Sequence, residues 1–116
     1  MGTFGMFQNS EEYETYSPGH IIFQKGEPGT IMYVVKKGEV ELQVENKPFT
    51  TVGSGGIVGE MALIDHAPRS LTAIAKTECQ LVPIDQKRFS FLVQQSPFFA
   101  LEVMKIMAER LRAFYQ

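Results

Sequence analysis

The sequence predicts a mainly β domain, a barrel or sandwich of short strands, followed by α-helices at its C-terminal end. Two observations carry that reading. Between Tyr13 and Val58, turn-forming clusters interrupt the chain at intervals of about 8 to 12 residues, with β-branched and aromatic residues between them. All ten glycines lie at or before Gly59, and none follows it. The first part is therefore built for tight corners and the second for uninterrupted helix.

The corners are Ser17-Pro18-Gly19, Gly26-Glu27-Pro28-Gly29, Lys37-Gly38, Asn46-Lys47-Pro48 and Gly53-Ser54-Gly55-Gly56, which leaves strands at about 20–24, 31–37, 39–45 and 49–52. Val40, Leu42 and Val44 alternate with Glu39, Glu41, Gln43 and Glu45, the period of a strand with one face buried and one wet. After Pro68, further strands are expected over 69–75, opened by Arg69, and over 80–84, so that the barrel runs from about 13 to 84. Asp85 is a candidate N-cap for a helix over 86–94. Ser96 and Pro97 start a second helix over 97–115, with serine at the cap and proline at the first helical position. The whole of 1–116 reads as one domain.

Along the last helix, at about 100° per residue, Leu101, Met104, Ala108, Leu111 and Tyr115 form one apolar stripe and Val103, Met107 and Phe114 another, nearly opposite. Two stripes imply two packing partners, the barrel on one side and a partner chain, homodimer copy or effector domain on the other. Arg110 falls within the second stripe. It is either a snorkelling surface residue or a ligand contact. Phe89, Phe91, Phe98 and Phe99 are at helical positions and are expected in core or hinge packing.

Composition excludes several function classes. The net charge is −2 without a run of like charge, so the basic footprint of a nucleic-acid binder is missing. No apolar stretch approaches the roughly 20 residues of a membrane span. The single cysteine, Cys79, cannot form an internal disulfide; it suits a reducing, cytoplasmic setting and a small core position. His20 and His66 have no third histidine or paired carboxylates at ligand spacing, so no metal site and no metal-assisted hydrolysis is expected. No His–carboxylate pair poised for acid–base work is evident either, and the chain reads as a non-enzyme that requires no cofactor. The glycine run at 53–56 lacks the Gly-Lys-Ser/Thr ending of a P-loop.

The stretch richest in chemistry is 55–70, which starts in a glycine turn, passes through an apolar run able to form one helical turn, and ends in Arg69 and Ser70. In outline this is an anion site. Backbone N–H groups at the start of a short helix converge on negative charge, an arginine offers a bidentate fork to two phosphate oxygens, and an ionised glutamate, an acceptor only, suits a sugar hydroxyl. A mutual ion pair between Glu60 and Arg69 is the structural alternative that needs no ligand.

The run Gly59-Glu60-Met61-Ala62-Leu63 followed by Pro68-Arg69-Ser70 closely resembles the phosphate-binding cassette of the cyclic nucleotide-binding domain family, of the catabolite activator protein, protein kinase A regulatory subunit and cyclic nucleotide-gated channel type. Upstream, Pro18-Gly19-His20-Ile21-Ile22-Phe23, Gly26-Glu27-Pro28-Gly29, Met32-Tyr33-Val34-Val35 and Gly38-Glu39-Val40 agree with it, so the resemblance extends from about Tyr16 to Leu111. It implies a double-stranded β-helix, jelly-roll-like, followed by C-terminal helices that move on ligand binding. It also implies a cyclic nucleotide ligand, cyclic AMP or cyclic GMP, with Glu60 on the ribose 2′-hydroxyl and Arg69 on the cyclic phosphate. Amides near Gly59, Met61 and Ala62 would complete the phosphate contacts, with Ser70 beside them. Val44 and Val58 would lie against the base, and Arg110 matches a lid arginine of some bacterial relatives. In the family a threonine after the cassette arginine often accompanies cyclic GMP; Ser70 could hydrogen-bond a guanine but is also common in cyclic AMP binders. Three positions depart from the pattern: Gly56 stands for an acidic residue, Val58 for a phenylalanine, and Leu71 for a smaller residue. The alternative function is a ligand-independent interaction or dimerisation domain of the same fold, using the second apolar stripe of the last helix, Val103, Met107 and Phe114.

Overall fold

The computed structural model describes Phe7 and residues 10–115. Eight strands, β1 (Glu14–Tyr16), β2 (Ile21–Phe23), β3 (Met32–Lys37), β4 (Val40–Val44), β5 (Lys47–Val52), β6 (Ile57–Val58), β7 (Thr72–Ala75) and β8 (Cys79–Ile84), form two four-stranded antiparallel sheets. Their orders are β1-β8-β3-β6 and β2-β7-β4-β5. A short helix α1 (Glu60–Asp65) lies between β6 and β7, and α2 (Gln86–Gln95) and α3 (Pro97–Phe114) follow the last strand. Mainly β with C-terminal helices is thus the architecture observed.

The register explains the sequence pattern. In β4, Val40 and Leu42 are buried and Glu41 pairs with Thr51 on the wetter face, as the alternation predicts. In β3, Met32, Tyr33, Val34 and Val35 are all buried, because both faces of its sheet are covered. Tyr33 and Val35 face the inter-sheet core with Leu42, Ala73 and Leu81, while Met32 and Val34 join Ile57, Val82, Phe99 and Val103 beneath the helices. Pro83 is accommodated in β8 because β1 pairs only with residues 79–81, beyond which β8 has one neighbour.

The β4–β5 turn falls at Glu45 and Asn46, with φ of 52° and 65°, the two left-handed residues of a two-residue hairpin. Strand β5 consequently starts two residues earlier than the sequence suggests and includes Pro48, tolerable on an edge strand. Gly56 is close-packed: a Cβ there would meet Val52 Cγ1 at 2.4 Å. Cys79 is buried, with its Sγ 3.2 Å from the carbonyl oxygen of Glu39, and burial raises its thiol pKa.

The Asp85 carboxylate caps α2 by accepting from the Arg88 N–H at 2.8 Å. Ser96 occupies the N-cap of α3, but its side chain makes no capping bond; Pro97 opens the helix as expected. The second stripe of α3, expected as the docking face, is instead the packed one, because Val103 is buried and Met107 lies against the same core under the sheet; only Phe114 of that stripe is exposed. Leu101, Met104, Leu111 and Tyr115 of the first stripe are exposed. Phe99 is buried edge-on to Phe89 at 5.5 Å between ring centroids. Phe91 and Phe98, expected in core or hinge packing, point to solvent because the α2–α3 corner turns their helix faces outward. Phe99→Ala removes the main anchor between α3 and the sheet and is expected to destabilise the fold by about 3–5 kcal/mol, measured as a fall in the urea midpoint at unchanged m-value.

Candidate functional site

The segment 59–71 is fixed at both ends by backbone geometry. Gly59, φ 77°, turns the chain out of β6 into α1, and His66, φ 56°, ends that helix. Arg69 does not open a strand, as the sequence suggests, but precedes β7 by three residues. Its N–H donates to the Glu27 carbonyl at 2.9 Å and its own carbonyl accepts from the Gly26 N–H at 2.8 Å. The β2–β3 loop, not a sheet partner, satisfies its backbone.

The Arg69 side chain is turned inward, and the residue is only 8% exposed. Nη1 donates to the Gly59 carbonyl at 3.2 Å and Nη2 to the Ile31 carbonyl at 2.8 Å. The guanidinium carbon sits 4.2 Å from the centroid of the Phe23 ring, a cation–π contact. Nε is buried with no hydrogen-bond partner. No carboxylate pairs with this cation among the described residues. Desolvation lowers its pKa, opposed by Tyr33, Glu27 and Glu60; an arginine nonetheless stays charged at neutral pH.

Glu60, at the start of α1, is 3% exposed. The ion pair that sequence reasoning offered between Glu60 and Arg69 is not formed. Arg110 of α3 donates through Nη1 to Glu60 Oε1 and through Nη2 to the Ile57 carbonyl at 2.6 Å. Arg110 is therefore no surface snorkeller. It crosses from the last helix to the cassette.

These residues surround a cavity of about 410 Å³. Gly59, Glu60, Met61, Ala62, Arg69 and Ser70 line its polar end, and Arg110 joins them. Apolar lining comes from Phe23, Leu42, Phe49 and Leu71 of the barrel and from Leu111, Phe114 and Tyr115 of α3. Phe49 and Phe114 meet across the mouth, ring centroids 5.6 Å apart. Val44 and Val58, expected against a base, do not line this cavity. Val58 is fully buried, paired with Tyr33 in the sheet, and Val44 ends β4 beside the hairpin turn. Sequence reasoning missed the aromatic mouth; the sole signal for it was the length of α3, which carries Phe114 back over the barrel.

Fold and site together define a class: a β-barrel with a concave ligand cavity that holds one buried cation and one buried carboxylate and is overhung by a C-terminal helix. The family model described as the cyclic nucleotide-binding domain matches residues 13–96. The chain belongs to that family. Over 90 residues it is 34% identical to the cAMP-dependent protein kinase regulatory subunit of Eremothecium gossypii, an alignment covering 78% of this chain and 20% of that protein. It thus spans about a fifth of the length of this curated relative. Among solved structures, one described as cAMP-bound PfPKA-R superposes with a TM-score of 0.80 at 27% identity, covering 90% of this chain and 36% of that one. The Thermus thermophilus catabolite activator protein superposes with a TM-score of 0.79 at 26% identity, covering 93% of this chain and 53% of that one. None of the described helices is long and apolar enough to cross a membrane.

Arg110→Ala leaves the Glu60 carboxylate buried without its cation and is expected to destabilise the fold by about 3–5 kcal/mol. Urea denaturation measures this, and Glu60→Gln in the same chain should restore part of the loss.

Proposed function

We propose that this chain is a regulatory ligand sensor that binds a 3′,5′-cyclic mononucleotide, cyclic AMP, in the cavity beneath α3. The observation that carries the reading is Arg69, a buried cation without a carboxylate partner whose Nε has no hydrogen-bond partner. Backbone carbonyls solvate a guanidinium but do not neutralise it, so an anion in the cavity supplies what the fold leaves out. A cyclic phosphate ester is such an anion, singly charged, with two free oxygens for the guanidinium fork. Glu60, an acceptor, takes the ribose 2′-hydroxyl, and the amides near Gly59, Met61 and Ala62 and the Ser70 hydroxyl complete the polar end. The apolar wall suits a purine, and 410 Å³ falls within the range of small-molecule cavities. The family and the resemblance to a cAMP-dependent protein kinase regulatory subunit support the same ligand class.

Regulation follows from where the ligand sits. The Glu60–Arg110 ion pair couples the cassette to α3. A nucleotide touching both the cassette and the α3 side chains Leu111 and Tyr115 favours conformations in which both contacts exist, and so shifts the population of helix positions. The chain acts as a binding unit for an effector, without catalysis of its own, in the reducing cytoplasm. A second reading, assembly through α3, rests on the exposed stripe of Leu101 and Met104 with Phe98 nearby. Sedimentation that is identical with and without nucleotide favours assembly alone.

Isothermal calorimetry of the whole chain with cyclic AMP and with cyclic GMP tests the reading. Saturable heat with cyclic AMP is expected, weakened about 100-fold or more by Arg69→Ala. Absence of heat from either nucleotide at millimolar concentration sinks it.

A further inference from the structure

Gly29 lies in the loop between β2 and β3, far in sequence from the cassette. Five glycines of the described chain have positive φ, namely Gly19, Gly26, Gly38, Gly55 and Gly59; Gly29 is not one of them. Its backbone conformation is open to any L-residue, so conformational freedom does not explain a glycine there. Space does. A Cβ on Gly29 would stand 2.2 Å from Arg69 Nε, 2.4 Å from Cζ and 2.8 Å from Nη2.

We propose that Gly29 is a positioning residue for Arg69: the room left by its missing side chain is the slot in which the guanidinium lies, and that slot sets where Nε and the fork face. The inference rests on the reading of Arg69 as the phosphate-binding group, and it adds a residue that would never touch the ligand.

The loop is built around the arginine. Glu27, two residues before Gly29, accepts the Arg69 N–H, and Ile31, two residues after it, accepts Nη2. The Phe23 ring and the Gly59 carbonyl limit the guanidinium elsewhere. A methyl group on Gly29 cannot coexist with these contacts, and the planar fork, once displaced, gives up its bonds to Ile31 and Gly59. Gly59 also approaches the guanidinium, at 2.7 Å from Nη1 for a Cβ, but its φ of 77° demands glycine independently. Gly29 is therefore the position where the effect of the slot can be isolated.

The test is a double-variant cycle on the whole chain: Gly29→Ala, Arg69→Ala, and both together, each measured by thermal melting without ligand and by calorimetry with cyclic AMP. Gly29→Ala is expected to lower the melting temperature by about 5 °C and to weaken cyclic AMP binding about tenfold or more. In the Arg69→Ala background, where nothing fills the slot, the same substitution should move neither by more than the error of an additive pair. Gly53→Ala, at a glycine with open space around it and no positive φ, is the control and should change neither. A loop that needs glycine for its own sake would melt earlier in both backgrounds, and that result overturns the proposal. Should Gly29→Ala not fold alone, recovery of folding on adding Arg69→Ala supports the slot, and failure to recover refutes it. If the unsubstituted chain binds no cyclic AMP, the functional reading fails while the melting cycle still decides the role of Gly29.

Discussion

The hydrogen bonds from Arg69 to the carbonyl oxygens of Ile31 and Gly59 tie together three segments far apart in sequence: the β2–β3 loop, the turn into α1 and the approach to β7. Each bond engages a buried cation and is therefore stronger than a neutral one. Dipoles of this kind solvate the charge without cancelling it. A buried guanidinium without a counter-charge is costly to the fold, and under the proposed function the ligand's phosphate offsets that cost.

The second constraint is the double-sided sheet of β1, β8, β3 and β6. Its inner face closes the barrel and its outer face seats α3 through Phe99 and Val103. Because α3 is fixed at this end, its last turns overhang the cavity, where Leu111, Phe114 and Tyr115 form part of the wall. The Glu60–Arg110 pair closes the circuit between cassette and helix. Under the proposed function, in which Glu60 also holds the ribose, ligand affinity and helix position are linked through this carboxylate.

Much of this was legible in the sequence, for physical reasons that vary with the element. The alternation in β4 and the Asp85 cap are local, and local patterns survive folding. The cassette 59–70 was legible because its glycine, acidic and basic residues stand within one continuous stretch. Gly29 was not legible as part of the site, since it stands 40 positions before Arg69 and reads in the sequence only as a member of the 26–29 turn cluster. Arg110 gave a partial signal as a cation inside an apolar stripe, yet its bond to Glu60 spans 50 positions. Arg69 itself was expected in a strand because β7 follows so closely; its backbone bonds to Gly26 and Glu27 hold it out of the ladder. Phe91 and Phe98 show the limit of helical periodicity, which fixes a face but not what covers it.

Under the proposed function, the buried guanidinium of Arg69, which no carboxylate neutralises among the described residues and whose Nε has no hydrogen-bond partner, holds the ligand's phosphate. The most direct measurement is the ¹H–¹⁵N resonance of that Nε, assigned by its disappearance in Arg69→Ala and followed during titration with cyclic AMP and, separately, adenosine. The resonance is expected to shift to lower field and sharpen as cyclic AMP saturates the cavity, with no such change from adenosine, which lacks the phosphate. A resonance that stays fixed while cyclic AMP binds would contradict that role of Arg69.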